Sequence, residues 1–158
     1  MADLAELFQK SNGKPVQIGE DVVYAIWRMS LAEPSRLRLM KVQASKEPVP
    51  GVRLKVYDGT LIIDGETLKD SVLWSDTALS EVKISVTPKK GKIAELRIWN
   101  CWRDRGIMQA WLVNAGMLIE QSGTTVCLRC NSGPTPLTSP LAFDDLVITL
   151  DVIPVEQP

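Results

Sequence analysis

The chain has 158 residues, 45% of them apolar, and a formal net charge of −1. That length suits one domain, residues 1–158, with a core large enough to fold without metal or disulfide. The balanced charge gives no long-range pull toward nucleic acid or an anionic membrane. Histidine is absent, which removes Ser-His-Asp and Cys-His hydrolases in their ordinary forms, HExxH zinc sites and His-ligated iron or copper.

From the N-terminus, Asp3 is placed to cap a short amphipathic helix over residues 3–12. Leu4, Leu7 and Phe8 form its apolar face, and Gly13 stands at the left-handed C-terminal position. The acidic stretch Met1-Ala2-Asp3-Leu4-Ala5-Glu6 does not read as a secretory signal. Asp21 to Met29 fits both helical spacing and alternation, and its β-branched and aromatic content favours a strand. Leu37–Ala44 continues as a strand up to the Glu47-Pro48-Val49-Pro50-Gly51 turn cluster.

Val52, Leu54 and Val56 then alternate with Arg53, Lys55 and Tyr57, the period of a half-buried strand. Asp58-Gly59 and Asp64-Gly65 are hairpin or tight-turn signals. Val82, Ile84 and Val86 repeat the alternation. Further strands fit Ala94–Arg103, Ile107–Val113, Met117–Gln121, Thr125–Cys130 and Leu146–Val152. Turn signals every 8–12 residues indicate an all-β antiparallel sandwich over residues 21–153 rather than βαβ units. Residues 131–142, rich in Pro, Ser and Thr, read as a mobile surface loop, and the tail after Pro154 reads as frayed.

Three of the five tryptophans fall between Leu96 and Asn114. Alternation puts Leu96, Ile98, Asn100 and Trp102 on one face of the first strand there, with Arg97, Trp99, Cys101 and Arg103 on the other. If the first set faces the core, Trp99 stands outward among arginines. Gln109 and Trp111 share a face of the next strand, so the two strands would together present Arg97, Trp99, Arg103, Gln109 and Trp111. Such a patch suits a protein interface, where Trp and Arg are enriched, or a saccharide stacked on Trp99 and Trp111. In the alternative arrangement the tryptophans fill the space between sheets and the arginines snorkel over them.

Cys127 and Cys130 form a CxxC, but in a strand residues three apart point to opposite faces. Three cysteines also fall short of a four-ligand zinc site. The carboxylates Asp58, Asp64, Glu66, Asp70 and Asp76, and the pair Asp144-Asp145, raise a carboxylate hydrolase or a calcium site, although no EF-hand spacing occurs. Phosphate-binding loops and the GxSxG elbow are absent. The run from Val82 to Phe143-Asp144-Asp145-Leu146-Val147-Ile148 resembles the second half of a jelly-roll domain of the galactose-binding type, in strand rhythm and an aspartate-led final strand. That resemblance implies a sandwich and carries no site residues.

The sequence therefore predicts a non-enzymatic interaction module that uses no cofactor or metal. It would act through the Trp–Arg patch on a protein partner or on a second copy of itself. A carbohydrate or small-ligand binder is the first alternative and a carboxylate-based hydrolase the second. Nucleic acid and membrane are not expected partners. The unpaired thiols suit a reducing, cytoplasmic compartment.

Overall fold

A computed structural model describes residues 3–46, 48–77, 80–133 and 141–153. The one helix among these residues, α1 (Leu4–Lys10), is capped by Asp3, whose side chain accepts from the Glu6 amide. Fourteen strands follow among the described residues. In chain order they are β1 (Val16–Ile18), β2 (Asp21–Tyr24), β3 (Trp27–Leu31), β4 (Ser35–Ala44), β5 (Val49–Tyr57), β6 (Gly59–Ile63) and β7 (Glu66–Leu68). The remainder are β8 (Asp70–Trp74), β9 (Glu81–Pro88), β10 (Ala94–Asp104), β11 (Ile107–Gln109), β12 (Gly116–Ser122), β13 (Thr125–Asn131) and β14 (Leu146–Ile153).

Two antiparallel sheets result. The larger runs β1-β2-β12-β13-β14-β4-β9-β6-β7, and the smaller runs β11-β10-β5-β8, with β3 also on β10. Strands β3 and β11 share one edge of β10, pairing with Ala94–Ile98 and Trp102–Asp104 respectively. The expected β-sandwich is thus present, with a short N-terminal helix.

The period-two pattern explains the core. Val52 and Leu54 of β5 and Leu96 and Ile98 of β10 face Leu37, Leu39, Val86, Leu128, Ile148 and Leu150 of the larger sheet, all fully buried in one cluster. Each such Leu or Ile contributes on the order of 1.5–3 kcal/mol of hydrophobic stabilisation. A second cluster joins α1 to the end of the larger sheet through Leu4, Phe8, Val23, Ala25 and Phe143. Gly116 lets the helix approach, because a Cβ there would stand 2.7 Å from Val23 Cγ1 and 3.1 Å from Leu4 Cδ1.

Several sequence expectations change, among them the turn cluster before β5, whose Val49, Pro50 and Gly51 pair with β10 as strand. The ambiguous Asp21–Met29 segment is two strands: β2 pairs with β12 in the larger sheet and β3 with β10 in the smaller, the chain changing sheets at Ala25-Ile26. Asp58-Gly59 likewise makes a crossing between sheets, not a hairpin, since β5 and β6 belong to different sheets. Asp64-Gly65 does close the β6–β7 hairpin, both residues at positive φ between the partners Ile63 and Glu66, as a type I′ turn requires. The expected strand Ile107–Val113 ends at Gln109, because Trp111 and Val113 take φ of 58° and 50°.

The described ends of the expected loop 131–142 are held by hydrogen bonds. Asn131 and Ser132 are buried. Asn100 Nδ2 donates to the Asn131 carbonyl (2.7 Å), the Phe143 amide to Asn131 Oδ1 (2.8 Å) and the Ser132 amide to Asp145 Oδ2 (2.8 Å). The rest of that expectation (134–140), and that for the tail, lie outside the described residues.

Candidate functional site

Register in the smaller sheet decides which side chains share its outer surface. With Leu54, Val56, Leu96 and Ile98 turned inward, the intervening residues of β5 and β10 point away from the core. Arg53 lies opposite Trp99, Lys55 opposite Arg97, and Tyr57 opposite Glu95. On the far edge of β10, Arg28 of β3 is also the partner of Arg97. Lys55, Arg97 and Arg28 therefore form a row of three cations in register across three strands.

Tyr57, Trp99 and Trp74 on this face each carry a cation. Arg97 lies 4.2 Å and Lys55 5.2 Å from the Tyr57 ring centroid, Arg53 lies 5.6 Å from that of Trp99, and Arg103 4.8 Å from that of Trp74. Arg53 grips Asp70 in a two-point ion pair, Nε–Oδ1 at 2.9 Å and Nη2–Oδ2 at 2.5 Å. These donated hydrogen bonds hold the Asp70 carboxyl below the usual carboxylate range and raise the Arg53 guanidinium above its own. Arg97 pairs with Glu95 and Arg103 with Asp76. Arg28 and Lys55 make no ion pair among the described residues.

The residues picked out by sequence separate here. Arg97, Trp99 and Arg103 do share the outer face. Trp99, however, is only 6% exposed, because Trp111 lies over it with ring centroids 5.0 Å apart and planes inclined by 28°. Trp111 reaches this position from a loop, not from the strand expected. The Trp111 Nε1–H donates to the Ala25 carbonyl (3.1 Å), and the ring remains 43% exposed. Gln109 does not belong to the patch. It pairs with Trp102, and directly opposed residues point to the same side, so Gln109 lies on the other face from Arg97, Trp99 and Arg103.

The loop after β11 is the least relaxed segment near this face. Trp111, Leu112 and Val113 are consecutive and each more than 40% exposed, while Trp111 and Val113 hold positive φ. For a β-branched residue that conformation is an outlier, costing on the order of 1–3 kcal/mol unless the surroundings enforce it. Here they do. The Ala5 amide of α1 donates to the Val113 carbonyl (2.8 Å), and the Ala115 amide to that of Leu112 (3.0 Å).

Trp111 divides two recesses. One, of about 250 Å³, is lined by Ile26, Arg53, Lys55, Tyr57, Arg97 and Trp99. The other, of about 480 Å³, runs along α1 past Ala5, Phe8, Gln9, Ala25 and Ile26. A third recess of about 750 Å³ at Arg103, Asp104 and Arg105 brings Asp76 and Asp104 to one mouth. There Arg103 takes the Asp76 carboxylate in an ion pair.

The thiols do not converge on a site. Burial pushes Cys101 up to about 12 and raises Cys127 and Cys130 as well, so none has the depressed pKa of a nucleophile. Among the described residues no group of three or more Cys, Asp or Glu is placed to hold a metal ion, and no helix is long and apolar enough to cross a membrane.

Sequence reasoning passed over Arg28, Arg53, Lys55, Tyr57, Leu112 and Val113. The alternation in β5 already put Arg53, Lys55 and Tyr57 on one polar face. Nothing in the sequence gave the pairing with β10 that sets them beside Trp99. No protein-family model, curated protein or solved structure matches the chain.

Proposed function

We propose that the chain is a non-catalytic protein-binding module that docks a partner protein on the outer face of its smaller sheet, around Trp111. The carrying observation is the run Trp111-Leu112-Val113, three large apolar side chains held exposed on strained backbone beside a recess of cations and aromatics. Strain held in place by surrounding contacts is characteristic of functional segments. A Trp flanked by Arg is the composition that dominates interface energetics. The carboxylates nearest this face are occupied by Arg53, Arg97 and Arg103, which favours binding over acid–base chemistry.

A foreign partner fits better than a second copy. An isologous contact through this face would set the Lys55–Arg97–Arg28 row against its own image, and like charges facing one another are unfavourable. The saccharide reading has less support, since Trp99 lies beneath Trp111 and Gln109 lies on the opposite side of the sheet.

Selection of displayed random peptides on the immobilised chain tests the proposal. Enriched peptides should bind the parent chain and lose binding to Leu112→Ser and Trp111→Ser. Failure to enrich, or binding indifferent to both substitutions, overturns it. So does a dimer in light scattering that Leu112→Ser dissolves, which would make a second copy the occupant.

A further inference from the structure

We infer that the segment docked on this face is acidic and apolar in turn, its carboxylates on the Lys55–Arg97–Arg28 row and an aliphatic side chain in the groove between Trp111 and α1. The inference rests on the protein-binding reading above and specifies the chemistry of the partner.

The cation row is the first warrant. Arg97 has a cation directly opposite on both neighbouring strands, Lys55 on β5 and Arg28 on β3. Directly opposed like charges weaken a sheet, and Arg97 meets one on each side. Lys55 has Asp70 of β8 as its other neighbour, but Arg53 holds that carboxylate in a two-point ion pair. Among the described residues Arg97 alone of the three forms an ion pair, with Glu95, and no described carboxylate lines the recess that Arg53, Lys55 and Arg97 share. An incoming anion removes the repulsion and gains charge-assisted hydrogen bonds with guanidinium groups.

The groove is the second warrant. On the other side of Trp111 its walls are Ala5, Phe8, Ala25 and Ile26, with Gln9 and Asn12 at the margin. No cation lines it, so an aliphatic side chain can enter without removing a charge from water. Trp111 and Ile26 line both recesses, so one short extended segment crossing the indole reaches both. The exposed Leu112 and Val113 add aliphatic contact beside it. A phosphate backbone would satisfy the cations but leave the groove empty, and the chain has no net positive charge to hold it.

Fluorescence anisotropy with a synthetic peptide carrying a run of glutamates followed by a pair of leucines tests the inference. Comparison probes replace the glutamates with lysines, replace the leucines with serines, or substitute a single-stranded oligothymidylate. The acidic–leucine peptide should bind, and each altered peptide should bind more weakly. Arg28→Glu and Lys55→Glu alter exposed and half-exposed side chains outside the core, and together they should weaken binding about tenfold or more. Equal binding of the lysine or serine peptide, preferential binding of the oligothymidylate, or indifference to the charge reversals overturns the inference. If display-selected peptides still depend on Leu112 and Trp111 while ignoring both reversals, the protein-binding reading stands and only this inference falls. If they ignore all four residues, both fall.

Discussion

Trp111 covers Trp99, ring on ring at 5.0 Å, although one belongs to a central strand and the other to an irregular loop. The stack ties the exposed loop to the sheet and so holds one side of the exposed apolar surface in place. An offset aromatic pair contributes about 0.5–1.5 kcal/mol beyond its buried area. Trp111→Ala should therefore destabilise the fold by about 1–3 kcal/mol and expose Trp99, shifting tryptophan emission to the red. An unchanged spectrum would show that the loop does not hold Trp111 there.

Val113 carries positive φ on a β-branched side chain that is nearly half exposed. Asn tolerates this conformation better than Val does. Val113→Asn should raise stability by up to ~1 kcal/mol in urea unfolding while reducing binding of display-selected peptides. Lower stability would mean that the Val113 side chain contributes more than its backbone costs.

Asn100 is buried and donates to the Asn131 carbonyl, joining β10 to β13 across the two sheets. Asn100→Ala leaves that carbonyl without its donor and opens space in a packed interior. The expected cost is about 2–4 kcal/mol by chemical denaturation.

Gly51 has no room for a methyl group, since a Cβ would stand 2.7 Å from the Leu73 carbonyl oxygen and from the Trp74 ring. The oxygen belongs to a paired strand and cannot retreat without disturbing the β5–β8 ladder. Gly51→Ala should cost about 1–3 kcal/mol. The change should also weaken the stacking of Arg103 on Trp74, visible as altered near-ultraviolet circular dichroism.

Asp70 and Asp151 both sit below the usual carboxylate range, Asp70 through hydrogen bonds from Arg53 and Asp151 through those from Thr125 and then Arg38. A carboxyl depressed in the folded state binds fewer protons there than when unfolded. Its contribution is therefore complete above the ordinary carboxylate value, about 3.9, and fades as pH falls below it. Melting temperature should drop in that acid range, and Asp70→Asn combined with Asp151→Asn should flatten the drop. Both pairs are partly exposed, so high salt should also shrink the effect.

Much of the fold was legible because burial on one side of a strand forces alternation, and β5, β9 and β10 alternate cleanly. What sequence could not supply was which sheet each strand joins. Asp58-Gly59 and Asp64-Gly65 look alike, yet one crosses between sheets where Gly59 meets Thr87 and Ala94, and the other closes a hairpin. Period alone put Arg97, Trp99 and Arg103 on one face of β10, but it left open whether that face looked outward or toward the opposing sheet. Gln109 was misplaced because its register with Trp102, which sets its face, is not written in the local sequence, and nothing local in Trp111 or Val113 announces a left-handed backbone. The cation row arises from three strands brought into register, a relation that no single stretch of sequence contains.

The placement of β14 has a consequence for how the chain reaches this state. It lies between β13 and β4, and its residues pair with partners more than a hundred positions earlier, such as Leu150 with Leu39. Until β14 is in place the larger sheet is two separate pieces, each with an open edge. Assembly therefore waits on a strand synthesised long after its partner, and pairings this remote in sequence make for slow folding, on the order of milliseconds to seconds. Over that interval β4 is an unprotected template for other chains, so aggregation during synthesis should be governed by how promptly β14 reaches it.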